Sequence, residues 1–335
     1  MRNVVLCALA AVLTGCVTER RAWSRFEYTR PQMGVPFRIV LYAAEKNSAD
    51  SAAEAAFTRI QHLNDTLSDY DTDSELSRLS QTAGQGKAVR VSDDLWRMLE
   101  RSQQLARETD GAFDITCGPV VSLWRKARRE KKLPDPLKLE EAKRAVGYDK
   151  LRLDPKARTA ELLVPYMRLD LGAIAKSYAV DEALNVLHAH GINSALIAGA
   201  GDMAVGDAPP GTDGWRIEIA PLDTTNAPPA KFVLLRHNAL ATSGDVFQHV
   251  EIDGTRYSHI VDPRTGVGLT DHSLVVAIAK DCTTANTVAT SVSVMGPGRG
   301  MKFAESKGAC VRIVRKPEDQ IEVRESKCFQ RFVIR

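Results

Sequence analysis

The sequence predicts an α+β fold, and three observations carry that prediction. Strand-like and helix-like segments are interspersed without strict strand–helix alternation, hairpins dominate the second half, and no repeat or low-complexity tract breaks the pattern. The composition agrees: 335 residues, 44% hydrophobic and 26% charged. Those values are ordinary for a globular chain and exclude collagen-like, disordered and coiled-coil architectures. At roughly 100–200 residues per domain, the length allows one large body or two intimate ones. Lys+Arg 45 against Asp+Glu 42 leaves a net charge of +3, too balanced to predict a nucleic-acid binder. No internal stretch is apolar over the ~20 residues that a spanning helix needs.

The first element is an address. Met1-Arg2-Asn3 is a short positive start, residues 4–13 are an apolar run of signal-peptide length, and the run ends in Leu13-Thr14-Gly15-Cys16. That ending resembles a bacterial lipobox. Residues 1–15 would be removed, Cys16 lipidated, and residues 16–30 would tether a body spanning 31–335. Acyl chains enter the bilayer while the body stays in water. The expectation is therefore an exported protein, lipid-anchored to a bacterial membrane and facing the periplasm. A plain signal peptide or a buried N-terminal helix is the alternative. Val17 permits outer-membrane sorting.

A first strand follows at 37–41 and a helix at 48–67, with Ala52, Ala55, Ala56, Ile60, Leu63 and Leu67 on one face. A polar turn at 67–71 closes it. The next helix covers 93–109, turning Leu95, Met98, Leu99 and Leu105 inward. A glycine-led loop from Gly111 then enters a helix through Leu123-Trp124, whose end carries the basic run 125–132. That run reads as a solvated helix end without catalytic role, with a polyanion or membrane-surface contact as the alternative, and it lacks the aromatic interleaving that single-stranded nucleic acid would need. A helix at 174–190 ends at Gly191, and a buried strand at 194–198 breaks into Gly199-Ala200-Gly201-Asp202. Strands are predicted at 215–220, 232–236 and 273–279, with a hairpin turn at Asp253-Gly254. A helix at 284–295 is stopped by Gly296-Pro297. The stretches 207–214 and 226–230 read as surface loops. Residues 310–328 form a terminal hairpin around Pro317-Glu318-Asp319. An exported location permits a Cys310–Cys328 bridge, and none of Cys117, Cys282, Cys310 and Cys328 sits in a C-x-x-C pair.

Four turns at element ends carry chemistry-bearing residues. Gly111-Ala112-Phe113-Asp114 is also explained as a plain turn. Asp170-Leu171-Gly172-Ala173 opens the 174–190 helix, whose unpaired N–H groups and partial positive charge suit phosphate, with Lys176 in the first turn as a further hint of an anion. The third joins Thr242-Ser243-Gly244-Asp245 to Ser258-His259-Ile260. His259 is there as a candidate general base, or as a packed structural histidine. In the fourth, Asn286 and Thr290 are four apart on a helix, so their oxygens face one way and suit a hard cation such as Mg²⁺. A capping asparagine with a surface threonine is the alternative.

Taken in order, these segments resemble the ApbE family of FAD:protein FMN transferases. The likeness starts at Met33-Gly34 and includes residues 67–79, 111–119, 170–181, 242–245, 258–266 and 284–290. It implies a single compact, T-fold-related α+β body with mixed sheets and flanking helices. It also implies a Mg²⁺-dependent enzyme that cleaves FAD, joins FMN to a threonine or serine of an acceptor protein and releases AMP. The acceptors would be subunits of membrane electron-transfer complexes. Carried over position by position, Met33, Tyr70, Ala112, Phe113, Asp114, Asp170, Lys176, Thr242 and Ile260 match flavin-nucleotide contacts. The Ala173 carbonyl, Asn286 and Thr290 match the metal site, and His259 matches the base.

The chain departs from the family pattern at four points. Asn286 stands where aspartate is usual and removes a formal charge, which predicts weaker metal affinity. Val35 replaces a threonine, while Ser177 and Ala200 replace glycines and add bulk where backbone would approach the ligand. An FAD pyrophosphatase using water as acceptor, or a flavin-binding lipoprotein disabled by Asn286, are the competing readings.

Overall fold

The computed structural model describes residues 23–222, 231–246 and 248–334. The predicted signal segment, Cys16 and the predicted loop at 226–230 lie outside the described residues. The α+β class is borne out. Its centre is an eight-stranded sheet of β1 (Ser24–Gln32), β2 (Val35–Ala43), β3 (Ala195–Gly199), β4 (Asp202–Val205), β5 (Asn238–Gly244), β6 (Ser273–Ala279), β7 (Cys310–Arg315) and β8 (Glu322–Glu325).

Spatial order follows chain order, and every ladder of this sheet is antiparallel, where mixed sheets were expected. The reason lies in the connections. A strand returns beside its predecessor through a short turn (β1–β2, β3–β4, β7–β8), through an excursion of small two-stranded hairpins (β4–β5, β5–β6), or through connections that contain helices (β2–β3, β6–β7). The helix Cys282–Ser306 shows the last device: Gly296 adopts φ 74° ahead of Pro297 and breaks it. A Cβ on Gly300 would lie 3.0 Å from Val292 Cα, so the two halves fold against one another and deliver β7 antiparallel to β6. Gly296-Pro297 stops the first half as the sequence predicts.

The tether expectation needs correction, because residues from Ser24 onward are β1, paired with β2 from Ser24↔Ala43 to Gln32↔Val35. This is an edge strand rich in charge (Arg25, Glu27, Arg30) and largely exposed, so it lacks the apolar alternation that marks a strand in sequence. The hairpin turn is Met33-Gly34, both at positive φ.

Helices α1 (Lys46–Leu67), α2 (Asp93–Glu108), α3 (Gly118–Glu130), α4 (Ala175–Ala189) and α5 (Cys282–Ser306) follow the predicted order. Residues of α1, α2, α4 and α5 share one core with Phe37, Ile39, Leu41, Ile197 and Ala277 of the sheet. The opposite face packs Val40, Leu240, Val276 and Ile278 against Trp215, Val233 and Phe329. Covered on both sides, β6 is buried at every position, which accounts for its unbroken apolar run. A small satellite core around Val120, Trp124 and Val261 seats α3 beside the 261–268 loop. The Cys310–Cys328 disulfide is formed, with Cα atoms 5.4 Å apart, and Cys117 and Cys282 are free thiols. Among the described residues, no helix is long and apolar enough to cross a membrane.

Candidate active site

The site assembles around the N-terminus of α4. Gly172 N–H donates to Asp170 Oδ1 at 2.7 Å, and Ile174 and Ala175 N–H donate to Leu171 O. This tight turn feeds the helix with Ile174 at the N-cap, a residue whose side chain cannot cap, and no acidic side chain stands in the first turn. The helix end therefore presents donors and a partial positive charge. Lys176 follows, its Nζ donating to Gly172 O at 3.1 Å.

On one side of this end lies a closed charge cluster. Asp170 N–H donates to Ile115 O at 2.8 Å, tying the turn to the 111–117 loop. The Arg125 guanidinium donates to Asp170 Oδ2 at 2.8 Å and also to Asp69 Oδ2. Its Cζ sits 4.3 Å from the centre of the exposed Tyr70 ring. Burial raises the Asp170 pKa, Asp69 raises it further, and Arg125 opposes both. Arg125 thus corrects the reading of its run as a solvated helix end: the first turn of that run is drawn inward by two carboxylates. Asp114 is buried and accepts from Thr116 N–H and Oγ1 at 2.8 and 2.7 Å, and burial raises its pKa. Ala112 and Phe113 are also buried, so a ligand would meet their backbone.

On the other side lies an open oxygen cluster. Asn286 and Thr290 project from α5 on one face as predicted, with Thr290 Oγ1 3.5 Å from Asn286 Oδ1. Ser243 Oγ is 3.1 Å from Thr290 Oγ1, and Thr242 is half-buried one residue earlier on β5. Asn286 is no cap, since Asp281 takes that place, its Oδ1 accepting from Thr284 N–H at 2.7 Å. The Asn286 amide N–H₂ instead donates to Asp202 Oδ2. Asp202 is 2% exposed. Burial pushes its pKa up to about 7, against the pull of Asn286, Lys176 and the Thr242 N–H.

His259 completes the approach. Its Nδ1 lies 3.1 Å from Gln248 O. A carbonyl only accepts, so this nitrogen carries the proton and Nε2 keeps its lone pair. Desolvation, with the charges of Arg128 and Lys176, lowers the His259 pKa to about 4, so the ring is neutral at pH 7 and a weaker base than an unperturbed histidine. Asp245 is not available as a base: Arg256, His272 and Ser273 N–H occupy it. Ile260 is half-buried just beyond, its N–H donating to Ser258 Oγ at 3.0 Å. Ser177 does not crowd the site, because its buried hydroxyl donates to Ile174 O at 2.9 Å. Met33 lies at the tip of the β1–β2 turn, at the same end of the sheet as the 199–202 turn, since Phe37 pairs with Gly199.

The sequence model of the ApbE family matches residues 33–313. The chain belongs to that family. It is 31% identical over 341 residues to an FAD:protein FMN transferase of Vibrio cholerae, covering 99% of each chain, and 27% identical to the Haemophilus influenzae protein of that name, covering 98% of this chain and 97% of that one. The solved Vibrio cholerae flavin transferase ApbE superposes with a TM-score of 0.84 at 28% identity, covering 93% of this chain and all of that one. The Thermotoga maritima ApbE protein gives 0.82 at 26% identity, again over 93% of this chain.

Within this ApbE-family chain, the oxygen cluster fits a hard cation. Asn286 Oδ1 and Thr290 Oγ1 are hard donors, the Ala173 carbonyl belongs to the turn that opens α4, and the adjoining buried carboxylate of Asp202 accepts from an amide and has no lysine or arginine in an ion pair with it among the described residues. The donors are mostly neutral: among the described residues, no group of three or more His, Cys, Asp or Glu could hold a metal ion. Arg125 and Asp202 escaped the sequence reading. Arg125 was masked by its basic neighbours, whereas Asp202 closes a Gly199-Ala200-Gly201-Asp202 turn that was itself a signal.

Proposed function

We propose that the chain transfers the FMN moiety of FAD to a threonine or serine hydroxyl of an acceptor protein and releases AMP, using Mg²⁺ held by Asn286, Thr290 and the Ala173 carbonyl. The reading extends to an acceptor in a membrane electron-transfer complex, and to a protein lipid-anchored through Cys16 on the periplasmic side. The supporting observation is the convergence at the α4 end: side-chain-uncapped N–H groups and Lys176 on one hand, the Asn286–Thr290 oxygens and Asp202 on the other.

Attack on a phosphoanhydride depends on charge neutralisation and in-line positioning more than on covalent help. The cation, when bound, supplies neutralisation of the pyrophosphate charge. Lys176 and the helix N-terminus hold the phosphates against α4. The acceptor oxygen forms a bond to the phosphorus of the FMN half as the bond to the AMP oxygen breaks. His259 Nε2 receives the hydroxyl proton, and AMP leaves with the electron pair. Tyr70, stacked on Arg125, offers an aromatic face at the entrance for the isoalloxazine ring.

The test is AMP release from FAD by the full chain in detergent, with and without Mg²⁺, alone and with a threonine-bearing acceptor. The expected result is metal-dependent AMP together with flavin fluorescence bound covalently to the acceptor. AMP without transfer to any acceptor would make the protein a pyrophosphatase. FAD binding without AMP at saturating Mg²⁺ would leave a flavin-binding lipoprotein.

A further inference from the structure

Position 286 carries an amide where a hard cation favours charge, yet this amide is not free to turn. Its Nδ2 donates to Asp202 Oδ2, which leaves Oδ1 facing Thr290 Oγ1 at 3.5 Å. The donor and acceptor ends of a primary amide are nearly the same shape, so a partner that only accepts decides which end faces the site. A carboxylate accepting from the N–H₂ also polarises the amide and places more negative charge on Oδ1. We infer that Asp202 is a positioning residue that makes Asn286 a cation ligand, fixing its amide orientation and supplying, through that hydrogen bond, the negative charge that position 286 lacks.

The surroundings favour this over a purely structural role. Of the other buried aspartates, Asp69, Asp170 and Asp245 each meet an arginine and Asp114 is held by Thr116 two residues on in its own loop, whereas Asp202 meets an amide 84 residues away and a backbone N–H. It also sits at the first residue of β4, directly after the β3–β4 turn, where the strand ladder does not depend on its side chain. Lys176 is close enough for its charge to act on Asp202, which links the carboxylate to the helix end proposed to hold phosphate. The inference rests on the cation site proposed above.

The test moves the charge between the two positions and reads Mn²⁺ binding to the full chain by electron paramagnetic resonance, without FAD and with it. Asp202→Asn is expected to weaken Mn²⁺ binding roughly tenfold or more, the range for partners that orient metal ligands. Asn286→Asp alone is expected to tighten it. In the double variant Asp202→Asn/Asn286→Asp, the amide lies at 202 and the carboxylate at 286, and affinity is expected to return to the wild-type level or above. Wild-type affinity in folded Asp202→Asn would overturn the inference. So would a double variant that stays as weak as Asp202→Asn, since that result would make Asp202 a scaffold residue. If the wild-type chain itself binds no Mn²⁺ even with FAD present, the cation site proposed above falls, and the role of Asp202 with it.

Discussion

Asp170 and Asp202 are two buried carboxylates on either side of the α4 N-terminus, and the charge of Lys176 acts on both. Burial raises both pKa values. Their partners differ: Asp170 has Arg125 in direct contact, while Asp202 has the Asn286 amide. The first carries its counter-ion within the fold. On the cation site proposed above, the second leaves part of its neutralisation to the bound ion. The difference shows how one site combines a rigid wall with a responsive one, because a paired charge resists change and an unpaired one answers to the ligand.

The largest expected effect breaks the closed side. Arg125→Ala leaves Asp69 and Asp170 buried near one another, with Arg168 at 3.9 Å from Asp69 and the charge of Lys176 acting on Asp170. Removing one member of a buried ion pair costs about 3–5 kcal/mol, so the midpoint of urea unfolding should fall sharply. Mn²⁺ affinity without FAD should change little if the variant is folded. A large loss of cation binding would show that the two sides are not independent.

A second prediction concerns the carboxylate that anchors the responsive wall from behind. Asp181 on α4 accepts from Cys282 N–H at 2.7 Å and from Thr283 N–H and Oγ1 at 2.9 and 2.6 Å, so it holds the start of the helix that carries Asn286 and Thr290. Burial pushes its pKa up to about 6 from 3.8. The folded state then binds more protons than the unfolded state between those values. Its stabilising contribution is full below 3.8 and is lost as pH rises through 6, by about 3 kcal/mol. Asp181→Asn should flatten that part of the stability–pH profile measured by thermal unfolding. It should also weaken Mn²⁺ binding by loosening the α5 start. An unchanged slope between pH 4 and 6 would remove Asp181 as its source.

The two sides were unequally legible in the sequence. The proposed cation ligands were readable because a four-residue spacing on a helix fixes which side chains share a face, and Asn286 and Thr290 obey it. Arg125 was not readable, since its inward turn depends on two carboxylates distant in sequence that become neighbours only when α3 docks. Asp202 had a local signal, a glycine-rich turn ending in an acid, but its partner lies on α5, 84 residues away. The same logic separates the strands. β6 announces itself as an apolar run because both faces are covered, whereas β1 is an edge whose charges hide it. Local periodicity survives into structure; pairing between distant charges does not show until the chain is folded.

The smallest effect sharpens the comparison at its hinge. Ala200 and Gly201 connect Gly199 to Asp202 with φ of 57° and 90°, the two positive values that a two-residue hairpin of this hand requires. An L-residue with a Cβ is strained there, by roughly 1–2 kcal/mol, while glycine accepts the conformation at the expense of more freedom in the unfolded chain. The balance favours Ala200→Gly by about 0.5–1 kcal/mol, readable as a rise in melting temperature of a few degrees or less. Asp202 follows the turn directly, so the same variant asks whether the alanine also sets the carboxylate. If the turn is scaffold only, Mn²⁺ affinity stays constant while stability rises. If affinity moves with it, the strain at Ala200 is part of how this chain aims Asp202 at Asn286, and the responsive wall extends one residue further than its polar atoms.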